Sequence, residues 1–280
     1  MQAEVEDLIV ENDQVRGVRY RMPGGPAEVR GLLTVGADGR TSRVRGAARL
    51  PLVETSPPMD VLWFRLSRRP DDEDVVGFRL SPGHFFVLIN RGTYWQVAYV
   101  IAKGAYDRVR AAGLEAFRQA VGEGGPELAD RVGEIQDWDQ VKLLTVRADR
   151  LRRWYRRGLL CIGDAAHAMT PVGGVGINLA IQDAVEAANV LWRPLKQGEL
   201  RIDDLARVQR RREISTRVIQ VFQGLVQERV LRPSLAASRQ LALPSIVRLG
   251  LRLPGVGELP ARLIALGVLR PHVRTPATGL

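Results

Sequence analysis

Apolar and polar positions alternate at the start of the chain. Val5–Val10 and Val15–Tyr20 read as strands joined by a turn at Asn12-Asp13. Pro23-Gly24-Gly25-Pro26 makes a second turn into Ala27–Val35, whose end, Leu32-Leu33-Thr34-Val35, reads as buried. Gly36-Ala37-Asp38-Gly39-Arg40 is too rich in glycine to continue a strand.

From Asp60 to Ile101 short β-rich runs alternate with turn clusters. Val61–Leu66, Val75–Leu80, Phe85–Asn90 and Tyr94–Ile101 are separated by clusters such as Ser81-Pro82-Gly83 and Arg91-Gly92, a spacing that predicts an antiparallel sheet. Ala105–Val121 has a helical period, Pro126–Ile135 suits a shorter helix, and Val141–Val146 returns as a strand. Leu159–Ile162 is a short apolar strand, and Ile177 begins a helix. Ile177, Ile181, Ala184, Ala188 and Leu191 recur at helical spacing as one apolar stripe. Leu205–Val230 is a second, basic helix, and Pro244, Pro254, Pro260 and Pro271 divide a Leu-rich tail beyond it.

Composition narrows the picture only a little. The hydrophobic fraction, 45%, and the charged fraction, 26%, are those of an ordinary globular protein. A net charge of +10 comes almost wholly from arginine, since Lys103, Lys142 and Lys196 are the only lysines. The arginines are spread along the chain, so we expect no nucleic-acid partner, and Arg147–Arg157 reads as a solvated face. Cys161 is the only cysteine, which rules out an intrachain disulfide. His84, His167 and His272 lack metal-ligand spacing, so no metal site is expected. No apolar run reaches the length of a membrane span and the acidic start does not resemble a signal peptide, so the expected location is the cytoplasm. The tail Leu231–Val268 offers surface for peripheral membrane contact or a partner helix, with ordinary packing the simpler expectation.

The chemistry concentrates in Gly158–Asn178. A buried strand ends at Gly163 and sets Asp164 at its carboxyl edge, where open α/β sheets bind ligands. An aspartate there can accept hydrogen bonds from a sugar or ribityl hydroxyl. Pro171-Val172-Gly173-Gly174-Val175-Gly176 is a loop whose glycines let backbone N–H groups approach a flat ligand. It runs into a helix N-terminus, which favours negative charge, such as that of a reduced flavin near N1 and the C2 carbonyl. Against this stands an ordinary strand–turn–helix with a glycine-rich connection; Gly163-Asp164-Ala165-Ala166-His167 before the loop and Asn178 after it argue otherwise.

The segment resembles the second flavin motif of the para-hydroxybenzoate hydroxylase-like group A flavoprotein monooxygenases. By position, the resemblance implies cofactor-holding roles for Gly163, Asp164, Pro171, Gly173, Gly174, Val175, Gly176, Ile177 and Asn178. Asp38-Gly39-Arg40-Thr41-Ser42-Arg43-Val44-Arg45 is similar to the family's Asp-Gly motif, which serves FAD and the NAD(P)H pyrophosphate. Bottom-up, a buried strand delivers Asp38 to a tight turn at Gly39, and Ser42 can cap the following helix. Arg45 can neutralise a pyrophosphate or pair with Asp38.

The implied fold is mixed α/β: an incomplete FAD-binding, glutathione-reductase-like domain with an inserted antiparallel-sheet substrate domain and a helical C-terminal tail. Its parts are 1–54 with the Asp-Gly motif, 55–148 as the insertion, 149–200 as the flavin-domain return, and 201–280 as the helical region. The implied activity is FAD-dependent hydroxylation or epoxidation of a small organic substrate with O2 and NAD(P)H, through a C4a-hydroperoxyflavin, with no side chain as covalent catalyst. One departure is plain: the family's opening βαβ unit with G-x-G-x-x-G is absent from this sequence. We therefore also hold open an inactive fragment or binding module that keeps the fold, and a flavin-dependent reductase or halogenase. Phe85, Tyr94, Trp95 and Tyr99 either line an aromatic pocket or pack the sheet, Trp63 and Phe64 must point to opposite faces, and His167 reads as structural.

Overall fold

The computed structural model describes residues 2–55, 57–72, 77–81, 84–236 and 267–276. They divide into two compact units, one of residues 1–55, 147–223 and 253–280, the other of 56–146 and 224–252.

In the first unit, β1 (Glu4–Glu11), β2 (Gln14–Met22) and β3 (Gly25–Arg30) form an antiparallel meander. Asn12 and Asp13 both adopt positive φ, 49° and 59°, the mirror-image turn that matches strand twist. The expected strand Ala27–Val35 is instead two elements in different sheets, β3 and β4 (Thr34–Gly36). Leu32 and Val35 are each 47% exposed rather than buried: Leu32 lies in the link between β3 and β4, and on the edge strand β4 it is Gly36, not Val35, that faces inward. After the short helix α1 (Arg43–Ala47), β5 (Leu52–Thr55) pairs antiparallel with β11 (Ala148–Leu151).

In the second unit, β6 (Met59–Ser67), β7 (Gly77–Ser81), β8 (His84–Asn90), β9 (Tyr94–Ala102) and β10 (Lys142–Leu144) make one antiparallel sheet in the order β10-β6-β9-β8-β7. Phe64, Phe86, Trp95 and Tyr99 are buried on one face against Phe117 and Val121. Trp63 lies outside that core, as the pleat requires for a neighbour of Phe64. The expected helix Ala105–Val121 is broken into α2 (Tyr106–Ala111) and α3 (Leu114–Gly124), because Gly113 takes φ 94° between them. Pro126–Ile135 holds two 3₁₀ turns, Pro126–Leu128 and Val132–Glu134, rather than a helix. Asp60 secures the start of β6 by accepting from Lys103 Nζ (2.8 Å), Gly104 N and Val146 N (2.9 Å each).

Returning to the first unit, β12 (Tyr155–Arg156) and β13 (Leu159–Cys161) precede α4 (Gly176–Gln197) and α5 (Ile202–Val226). A π turn, Gln227–Leu231, and α6 (Arg232–Ala236) follow in the chain and belong to the second unit. The core joins Leu151, Trp154, Leu159, Leu160, Val190 and Leu205. The apolar stripe expected on α4 does not face this core. Ile177 is 69% and Ile181 56% exposed, Ala184 and Ala188 are exposed too, and only Leu191 of the five is buried. The buried face is Leu179, Asp183, Glu186, Ala187, Val190 and Leu191. Its two carboxylates disguised it as the polar side, and partners on α5 neutralise them: Arg212 meets Asp183 at 2.9 Å and Arg211 meets Glu186 at 2.6 Å. Pro244, Pro254 and Pro260 of the tail lie outside the described residues, as does Val75. Among the described residues no helix is long and apolar enough to cross a membrane.

Candidate functional site

The two motifs meet because their strands are neighbours. β4 and β13 pair parallel, with Thr34 opposite Leu159 and Gly36 opposite Cys161, and the Ile162 N–H donates to the Gly36 carbonyl at 2.9 Å. Parallel strands in this register release both following loops at one edge of the sheet, the carboxyl edge. Asp38 therefore leaves β4, and Asp164 leaves β13, on the same side. Gly36 is the close-packing point: a Cβ there would stand 2.9 Å from Val44 Cγ1 and 3.1 Å from Cys161 Sγ.

After β4, Gly39 turns the chain with φ 81°. Asp38 Oδ1 accepts from Ser42 Oγ (2.5 Å) and Oδ2 from the Val44 N–H (3.1 Å), while Ser42 Oγ accepts the Arg45 N–H (3.0 Å). Ser42 is thus the N-cap of α1. Arg45 does not pair with Asp38. Its guanidinium makes a two-pronged contact with Asp149 on β11, at 3.0 and 3.2 Å, and donates to the Arg40 carbonyl at 2.6 Å. Both side chains are nearly buried, and Asp149 also accepts the Ala168 N–H at 3.3 Å. Arg45 thereby ties the first motif to the second through Asp149. Arg40, from the turn itself, approaches Asp164 at 3.8 Å.

After β13, Gly163 opens a 3₁₀ turn over Gly163–Ala165 with φ 58°. A Cβ on it would lie 3.0 Å from Ala180 Cβ of α4, so glycine lets helix and turn close together. The Asp164 carboxylate, partly exposed, stands by the first turn of α4, where the Cβ position of Gly176 is 3.8 Å from Asp164 Oδ1. Pro171 leads into a 3₁₀ turn at Val172–Gly174 in which Gly173 and Gly174 have φ 78° and 65°. Both are exposed, and a Cβ on Gly174 would meet nothing within 4 Å. Val175 is buried with Met169, Leu179 and Ile219 and anchors the loop, while Gln223 Nε2 donates to the carbonyls of Thr170 (3.0 Å) and Val172 (2.7 Å). No side chain caps α4, and its first turn holds no acidic residue. Ile177 is exposed at this end and Asn178 half-buried.

A flavin ring and its ribityl chain fit what these residues offer. The open glycine pair leaves room for a flat surface, the uncapped helix start attracts an electron-rich edge, and Asp164 can accept from hydroxyls. For the diphosphate the sequence supplies no G-x-G-x-x-G turn. Cys161 is no nucleophile: burial, with Asp38 nearby, pushes its thiol up to about 12. Asp149, Asp183, Arg212 and Gln223 were not singled out from the sequence. They are distant along the chain from the segments they hold, and no local pattern marks them.

The family model described as FAD binding domain matches residues 1–221. The 6-methylpretetramide 4-monooxygenase of Streptomyces rimosus is 36% identical over 249 residues, covering 86% of this chain and 58% of that protein. Among solved structures, the OxyS anhydrotetracycline hydroxylase of Streptomyces rimosus superposes with TM-score 0.69 at 21% identity, over 96% of this chain and 53% of that one. The flavin-dependent brominase Bmp2 gives TM-score 0.71 at 15% identity, over 94% and 64%. These structural likenesses concern the fold. The chain spans less than two thirds of the length of each of these proteins.

Proposed function

Since the chain belongs to the FAD binding domain family, we propose that Gly163–Asn178 together with the Asp38–Gly39 turn holds the flavin end of FAD for an NAD(P)H-using monooxygenase. The observation that carries this reading is the Asp164 carboxylate beside the uncapped N-terminus of α4, with the open Gly173-Gly174 pair before it. In this reading Asp164 accepts from the ribityl hydroxyls, and the backbone of residues 173–176 lies along the ring. The start of α4 favours negative charge on the reduced ring. Asp38 shapes the Gly39 turn and aligns it with the Gly163 turn. Bound FAD supplies the hydride acceptance and oxygen activation, while the chain contributes placement, exclusion of water and electrostatics.

The substrate is a small organic molecule, and the 36% identical relative named as a monooxygenase supports oxygen insertion as the reaction class. In this reading the sheet of the second unit is the substrate-binding part; opposite the Phe117 core it carries the half-buried Trp63, Phe85 and Val87 beside the buried Val61, Ala98 and Val100. A cytoplasmic location belongs to the same proposal.

The test is titration of the purified chain with FAD, read by flavin fluorescence and absorption. Turnover with NADH or NADPH and aromatic candidates under ¹⁸O₂ follows. Bound flavin and a product carrying labelled oxygen are expected. A colourless chain in excess FAD overturns the cofactor assignment and leaves a module that keeps the fold alone. The fold likeness to a brominase motivates one added arm: a halogenated product with bromide, and no labelled oxygen, overturns the reaction class.

A further inference from the structure

The buried face of α4 carries a charge where an aliphatic side chain would pack. Asp183 is fully buried, and both of its oxygens are engaged. Oδ2 accepts the Gly163 N–H at 3.0 Å and faces His167 Nε2 at 2.5 Å; Oδ1 accepts from Arg212 Nε at 2.9 Å. Arg212, also buried, donates to Gln182 Oε1 and to the Leu269 carbonyl, each at 3.0 Å. The His167 N–H returns to the Gly163 carbonyl at 2.9 Å, and its ring lies 4.7 Å from that of Trp154. Burial opposes the charge on Asp183, yet His167 and Arg212 hold its carboxyl below the usual carboxylate range.

As a core filler this cluster is costly, since apolar residues of similar volume hold a core as well as a buried ion pair or better. An apolar side chain cannot, however, accept the Gly163 N–H. That N–H sits where φ 58° swings the chain from β13 toward Asp164. We propose that Asp183, braced by Arg212 and His167, is the positioning residue of the flavin-facing turn: it fixes Gly163 and so sets where the Asp164 carboxylate meets the ribityl hydroxyls of FAD. This rests on the reading that the chain binds FAD. Asp183 acts through Gly163 and touches no ligand itself.

The experiment compares wild type, Asp183→Asn, the double variant Asp183→Leu with Arg212→Met, and the core control Leu205→Ala. Amide hydrogen exchange of the FAD-free chains is measured alongside FAD titration. In Asp183→Asn the amides of residues 163–168 should exchange about tenfold faster while those of Leu159–Cys161 hold, and the FAD Kd should rise about tenfold. Leu205→Ala should lower the melting temperature and leave the FAD Kd unchanged. Should Asp183→Asn fail to fold, the double variant removes both buried charges together and is read in its place. Residues 163–168 exchanging in step with β13, with FAD affinity within about twofold of wild type, overturn the proposal. A wild type that takes up no FAD overturns the functional reading instead, and exchange in the FAD-free chains still judges Asp183.

Discussion

Arg45 and Asp149 show how a residue's role depends on its surroundings. A basic residue after an Asp-Gly turn invites a phosphate, but the side chain is spent on a buried carboxylate. Arg45→Ala strands Asp149 as an uncompensated charge, so urea denaturation should show a loss of about 3–5 kcal/mol. A loss below about 1 kcal/mol, the value of an exposed pair, contradicts the burial. Asp72 makes a parallel case in the second unit. Arg131 grips it at 2.5 and 3.0 Å and holds its carboxyl far below the usual range, and Trp95 Nε1 donates to it at 2.9 Å. A depressed folded pKa contributes stability that is complete above the unfolded value and lost as pH falls toward the folded one. Wild type should therefore exceed Asp72→Asn in stability at pH 7, and the gap should narrow below about pH 4. A gap that stays constant in urea titrations down to that region and beyond contradicts the sign. Glycines separate in the same manner. Gly163→Ala meets both an unfavourable φ and Ala180, whereas Gly174→Ala meets an unfavourable φ in open space. Left-handed strain alone is about 1–2 kcal/mol, so Gly163→Ala should cost more in thermal melts.

At the scale of elements, α4 is where the sequence pattern misleads. Helical period and start are legible, but the apolar stripe they reveal, Leu191 apart, lies away from the core. Ile177 and Ile181 are more apolar than Asp183 and Glu186, and only the guanidinium groups of Arg211 and Arg212 on α5 make the latter pair suited to burial. Leu179→Ala should cost about 2–5 kcal/mol, and Ile181→Gln less than about 0.5 kcal/mol. Reversed values in chemical denaturation would return the core to the apolar stripe. The antiparallel runs of the second unit were easier to read, since alternation and turn clusters are local properties. The break at Gly113 shows the limit of such reading: apolar spacing continued through a residue whose backbone turned the other way.

For the whole molecule, the pairing of β4 with β13 matters most. A ligand that binds the folded chain alone stabilises it by RT ln(1 + [L]/Kd), about 2.7 kcal/mol at a hundredfold excess over Kd. FAD should accordingly raise the melting temperature in a concentration-dependent manner, and an unchanged melt in saturating FAD contradicts the proposed site. By itself the sequence determined the local features: the Asn12-Asp13 turn, the alternating strands, the helix after Gly176, and both glycine-rich motifs. These follow from backbone preferences and spacing within a few neighbouring residues. Tertiary structure alone decided that Gly36 stands opposite Cys161, that Arg45 serves Asp149, and that Asp183 is buried beneath Gly163. The physical reason is that a charge is tolerable in a core only beside its partner. That partner can lie anywhere along the chain until the fold brings it near.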